Sequence, residues 1–179
     1  MWPSTRSFAA SLVLAWHAVA SANVPPPLPE DVVRIAPELA PRGGGEFRFL
    51  GFAVYDGWLW TASGAWPSSG PYALDLHYRR DLRGEDIASR SIDEIRRLGA
   101  GTPVQHARWQ AAMAQLFPDI RRGDRMTGVY TPRGTARYFH NGRMIGEIDD
   151  PEFARAFFAI WLDPRTSRAD FRERLLGGR

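Results

Sequence analysis

Arg48 stands inside the longest apolar, aromatic-rich run that follows the N-terminal segment, GGGEFRFLGFAVYDGWLW from Gly43 to Trp60. A guanidinium keeps its proton in a protein, and burying it without a partner is very costly. Read with period two, Phe47, Phe49, Ala53 and Tyr55 point one way. Arg48, Leu50, Phe52 and Val54 point the other way. Both sets are apolar apart from the arginine, so the run reads as a strand covered on both faces, and Arg48 must then meet an anion. A core carboxylate satisfies that need, and so does the carboxylate or phenolate of a ligand. The aromatics Tyr55, Trp58, Trp60, Tyr72, Tyr78, Tyr130 and Tyr138 fit both readings, as packed core or as the walls of a slot for an elongated apolar anion.

Other chemistries find little to work with. His17, His77, His106 and His140 lack a second histidine or carboxylate at ligand spacing, so no metal is expected. The chain has no cysteine, which removes thiol nucleophiles, disulfides and a lipoprotein attachment site. There is no Gly-x-Ser-x-Gly elbow, and Gly43-Gly44-Gly45 precedes a strand rather than a helix, so it is no phosphate cradle. Glu85, Asp86, Asp93 and Glu94 fall on the outer face of a helix, Asp124 in a turn and Asp163 at a helix stop. No acid–base pair and no cofactor are expected. All 23 basic residues are arginine, interleaved with acids to a net charge of +3, which argues against a nucleic-acid footprint.

The elements that must position Arg48 and the aromatics follow from periodicity and punctuation. Residues 23–42 are a proline-rich lead-in with a short edge strand expected at Asp31–Ile35. Asp56-Gly57 is a hairpin signal leading into a strand at Trp58, and 62–71 is a loop. Tyr72 to Tyr78 alternates as a third strand. Helices are expected at Arg83–Leu98 and Val104–Phe117. Strands follow at Arg125–Thr131, Thr135–His140 and Arg143–Ile148, the last two joined at Asn141-Gly142. Asp149 or Asp150 caps a buried helix over Phe153–Leu162 with Pro151 at its first position, and a last helix runs from near Ser167 to Gly177. The expected class is α+β, a largely antiparallel sheet with helices on one face.

Residues 1–22 read as a cleavable signal peptide: Arg6 is basic, Phe8 to Ala20 is a short apolar run, and Ala-Val-Ala and Ala-Ser-Ala offer cleavage sites. The apolar run is too short to span a bilayer, and no transmembrane segment is expected in the mature chain, so the location expected is the periplasm. The rest of the 179 residues, 44% of the whole hydrophobic, suits one domain over 43–179.

The pattern Gly-x-Gly-x-x-Arg, followed by Val-Tyr and Leu-Trp between Gly43 and Trp60, resembles the first strands of chalcone isomerase-like proteins, in particular their short exported bacterial branch. Phe117 to Pro164 resembles the C-terminal half of that branch at Gly123-Asp124, Tyr130-Thr131-Pro132, Asn141-Gly142 and the Phe153 to Leu162 helix. The resemblance spans roughly residues 43–177. It implies an open-faced β-sandwich, a long antiparallel sheet packed by helices with a ligand cleft between the layers. In the plant enzymes an arginine holds a phenolate while a tyrosine, lysine, threonine and asparagine network orients the substrate. In related plastid members an arginine and a tyrosine hold a fatty-acid carboxylate. That arginine carries over to Arg48 and the tyrosine to Tyr55. The chain has no lysine, and Ile160 and Trp161 stand where the plant threonine is aligned, so the resemblance implies binding more than ring closure.

The function expected is therefore a non-catalytic exported protein that binds a small or elongated apolar anion, with Arg48, Tyr55, Trp60 and Tyr130 around it. The alternatives are an isomerase or intramolecular lyase on an enone, with Tyr55 or Tyr130 as hydrogen-bond donor, and an envelope protein whose cleft is closed by Phe52, Trp60, Phe157 and Trp161.

Overall fold

The computed structural model describes residues 24–62, 66–67 and 70–178. The expected signal peptide lies outside them. The architecture is α+β: one six-stranded sheet in the order β1 to β6, every neighbouring pair antiparallel. The strands are β1 (Leu39–Phe49), β2 (Phe52–Ala62), β3 (Tyr72–Tyr78), β4 (Arg125–Tyr130), β5 (Ala136–His140) and β6 (Arg143–Ile148). Helices α2 (Gly84–Arg97) and α3 (Pro103–Leu116) interrupt the meander between β3 and β4. Helices α4 (Pro151–Leu162) and α5 (Ala169–Leu175) follow it.

Strand alternation sorts the sheet into two faces. Tyr55 and Leu59 of β2, Leu74 and Leu76 of β3 and Tyr138 of β5 join Ile92, Met113, Phe157 and Phe171 of α2 to α5 in the main core. The opposite parity builds a second, smaller core from Trp58, Trp60, Ala73, Val129 and Phe139. It is covered by Leu28 and by Val32 of α1 (Glu30–Ile35). Residues 31–35 are thus a short helix rather than the expected edge strand, and one helix lies on the face opposite the other helices, where none was expected. The β-branched Val32 and Val33 favour a strand, but burying Val32 on the tryptophans decides the outcome.

The first hairpin also differs from expectation. Its turn is Leu50-Gly51, with φ of +48° and +82°, the geometry of a two-residue turn that matches strand twist. Asp56-Gly57 lies in the middle of β2, paired to β1 and β3. Gly57 is needed for close approach: a Cβ there would come within 2.8 Å of the Phe171 ring of α5. The Asn141-Gly142 turn forms as expected, with both residues at positive φ.

The helix caps hold the layers in place. Thr102 and Gln105 form a reciprocal capping box on α3. Asp150, not Asp149, caps α4, accepting from Glu152 N and Phe153 N. Its other oxygen accepts from Trp109 Nε1 of α3 at 2.9 Å and from Arg108 at 2.6 Å.

Candidate ligand-binding cavity

Between the sheet and α2, α4 and α5 lies a cavity of about 610 Å³, a size typical of small-molecule sites. Its floor is the helix-facing parity of the strands, including Tyr55, Leu76, Tyr78 and Tyr138. Its roof includes Ile87 and Ser91 of α2, Ile160 and Trp161 of α4, and Phe171 of α5. The lining is overwhelmingly apolar. The exposed lining residues mark the mouth: Phe49 and Leu50 at the tip of the first hairpin, with Arg80, Asp86, Arg90 and Ser167. Arg168, half-buried, also lines it, its guanidinium 4.7 Å from the centre of the Phe47 ring.

The polar groups of the lining are mostly committed to the protein. Trp161 Nε1 donates to the Tyr55 hydroxyl at 2.9 Å, tying α4 to β2, and Phe47 stacks on the Tyr55 ring. Burial pushes the Tyr55, Tyr78 and Tyr138 phenols well above their ordinary range, so they remain neutral hydroxyls. The Tyr138 hydroxyl has no hydrogen-bond partner among the described residues. Glu94, expected on an outer helix face, is buried and lines the cavity. Burial works to raise its pKa, but hydrogen bonds from Arg97 at 2.8 Å and Ser167 at 3.0 Å, with the charges of Arg90 and Arg97, hold it below the usual carboxylate range. Arg80 differs from the other mouth arginines, having no carboxylate partner among the described residues. Its guanidinium carbon lies 5.9 Å from the centre of the Phe52 ring.

The predicted site residues part company here. Tyr55 is on the cavity floor. Arg48 is not in the lining: its side chain is 57% exposed, it pairs with Glu46, and it donates to the Gly51 carbonyl at 2.9 Å. The guanidinium expected to be buried is therefore at the surface. Phe47 packs on Phe171 of α5, and Arg48, of opposite parity, points away from that helix layer, so apolar sequence neighbours do not imply burial, and Arg48 has a surface carboxylate as its anion. Trp60 belongs to the second core on the far side of the sheet, under α1. Tyr130 stacks on Tyr72 at 4.7 Å, packed against the main core and outside the cavity lining. Phe52, one of the side chains expected to close the cleft, is 66% exposed at the hairpin tip. The signal for Arg80 was present: the face Tyr72, Leu74, Leu76, Tyr78 continues, one step of two further, to residue 80. The pair Arg79-Arg80 reads as solvated surface because both residues are indeed exposed; Arg79 is bound to Asp56. No group of three or more potential metal ligands occurs among the described residues.

A helix-covered antiparallel meander with an apolar interlayer cavity defines the class of open-faced β-sandwiches. A family model described as chalcone isomerase-like matches residues 60–177, and the chain belongs to that family. Among solved structures it is similar to the crystal structure of a fatty-acid binding protein from Arabidopsis thaliana. The TM-score is 0.59 at 11% identity, over 78% of this chain and 87% of that one. No curated protein matches the sequence.

Proposed function

We propose that this chain binds an elongated apolar ligand with an anionic head, of the fatty-acid type, with its tail in the interlayer cavity and its head at Arg80. The observation that carries the proposal is an apolar cavity of about 610 Å³ opening onto an arginine that has no carboxylate partner among the described residues. The likeness to a plant fatty-acid binding protein supports the ligand class. The tail gains from leaving water, and the head meets a fixed cation in a partly desolvated mouth. The proposal assigns no catalytic step. Export, expected from residues 1–22, belongs to the same reading, and N-terminal sequencing of the protein recovered from periplasm tests it.

The deciding experiment is calorimetric titration of delipidated protein with palmitate, alongside native mass spectrometry for retained acyl chains. Wild-type protein binds at a stoichiometry of one. Arg80→Ala weakens binding roughly tenfold, or about 1.4 kcal/mol, whereas Arg48→Ala leaves it unchanged. Wild-type protein that takes up no palmitate and retains no lipid would overturn the proposal. Loss of binding in Arg48→Ala with none in Arg80→Ala would move the head back to β1.

A further inference from the structure

The tip of the β1–β2 hairpin exposes three large apolar side chains in succession around the turn: Phe49 at 44%, Leu50 at 82% and Phe52 at 66%. Nothing about the fold calls for Leu50. Its φ of +48° is a conformation that asparagine or glycine adopts more readily, and its side chain is in water. A tight turn freed of other demands would take Asn-Gly here. A non-glycine residue held at positive φ and spent on an exposed leucine is a local cost that points to a task outside the fold.

The surroundings indicate the task. Arginines flank the apolar tip: Arg48 at its base, Arg80 with its guanidinium over the Phe52 ring, and Arg90 with its guanidinium 5.4 Å from the centre of the Phe49 ring. Arg80 brings positive charge with no carboxylate to offset it among the described residues. The tip is also continuous with the cavity mouth, since Phe49, Leu50, Arg80 and Arg90 line it. Apolar side chains at an exposed turn, beside an Arg80 head that has no carboxylate partner among the described residues and beside Arg48 and Arg90, whose heads pair with Glu46 and Glu94, fit the interface of an anionic lipid bilayer.

We propose that the Phe49–Phe52 tip docks on anionic lipid bilayers and turns the cavity mouth toward the membrane, so that an apolar ligand passes between bilayer and cavity without crossing water. The transfer rests on the ligand-binding reading above; the docking does not, and it can be measured without a cavity ligand.

The absence of cysteine makes the test direct. Leu50→Cys in the full chain, labelled with an environment-sensitive fluorophore, is titrated with phosphatidylglycerol vesicles and with phosphatidylcholine vesicles. Val104→Cys, at an 80% exposed site on α3, carries the same label as a control. The expected result is a blue shift at position 50 with phosphatidylglycerol, weaker with phosphatidylcholine and reduced by salt, while position 104 stays silent. In vesicle co-sedimentation, Phe52→Ser and Leu50→Asn each weaken binding about tenfold, as expected for withdrawing one large apolar side chain from the interface. Leu50→Asn keeps or raises the melting temperature, because asparagine suits the turn, so its loss of binding cannot be unfolding.

Several results would overturn the proposal. Position 50 fails to respond, or positions 50 and 104 respond alike, which would put the contact elsewhere in the chain. A shift that appears with protein concentration in the absence of vesicles would make the tip a contact between copies of the chain. Palmitate binding that persists while position 50 is blind to vesicles would remove the docking and leave the cavity reading intact.

Discussion

Asp75 shows how a single buried charge is made tolerable. It is fully buried on the face of β3 opposite the cavity. Arg125 Nε and Nη2 donate to its two oxygens at 2.8 and 2.7 Å, Thr127 donates at 2.8 Å, and His77 Nε2 lies 3.0 Å away. Burial works to raise its pKa, but the hydrogen bonds from His77 and Arg125 outweigh that and hold the carboxyl below the usual range. A depressed folded pKa contributes stability that is fully present above the unfolded value near pH 4, and that is lost as pH falls through the folded value. Thermal melts of the wild type should therefore fall away below about pH 4. Asp75→Asn should cost about 3 kcal/mol at neutral pH, because the mostly buried Arg125 loses its counter-charge, and should flatten that acid limb. An unchanged acid limb in the variant would show that other carboxylates set it. Partners also decide how far the arginines could be read from sequence. An anion beside Arg48 was expected because the arginine was read as buried; it is at the surface, where Glu46, two residues away, pairs with it, because burial belongs to the layer above and not to the apolar neighbours. The sequence carried Arg80's place as parity, a step beyond a clean alternation, but that it has no carboxylate partner among the described residues only three dimensions show.

At the level of elements, Asp150 does two jobs at once. It caps α4 through two backbone amides and gives the buried Trp109 of α3 its acceptor. Asp150→Ala should lower stability by about 2 kcal/mol, above a cap alone, since an indole N–H is also orphaned. Asp150→Asn should recover much of the capping part. Equal losses in chemical denaturation would mean that charge, not the acceptor geometry, matters. Strands β3 to β6 and helices α2 to α5 were legible because their signals agree: period-two faces, Pro151 behind a capping aspartate, Asn-Gly at a two-residue turn. The first hairpin was not, because two signals are displaced. Gly57 serves close packing of Phe171 rather than a turn, and the turn itself carries Leu50 where asparagine would have announced it. Residues 31–35 misled for a related reason: two valines favour a strand, but a short helix is what places Val32 on Trp58 and Trp60.

Across the whole molecule, the cavity links stability to occupancy. A ligand that binds only the folded chain raises its melting temperature with concentration. Each methylene drawn into the cavity contributes about 0.8 kcal/mol, or roughly fourfold in affinity, until the cavity is filled. Saturated fatty acids of increasing length should show that climb and then a plateau, read as shifts in melting temperature; a flat series would place the tail outside. The sheet itself closes off a different route. Both of its edges are blunted. β1 carries Pro41, which has no N–H, is irregular at Pro41/Gly43 and again at Phe47/Arg48, and has the Glu46 carbonyl taken by Arg174 of α5. β6 is only six residues long, with Arg143 and Glu147 on it and a register shift against β5. Neither edge presents a flat ladder of free backbone groups to another chain. With both edges blunted the sheet disfavours adding strand to strand, so the leucine and phenylalanines exposed at one turn are not backed by an edge that would template a fibril.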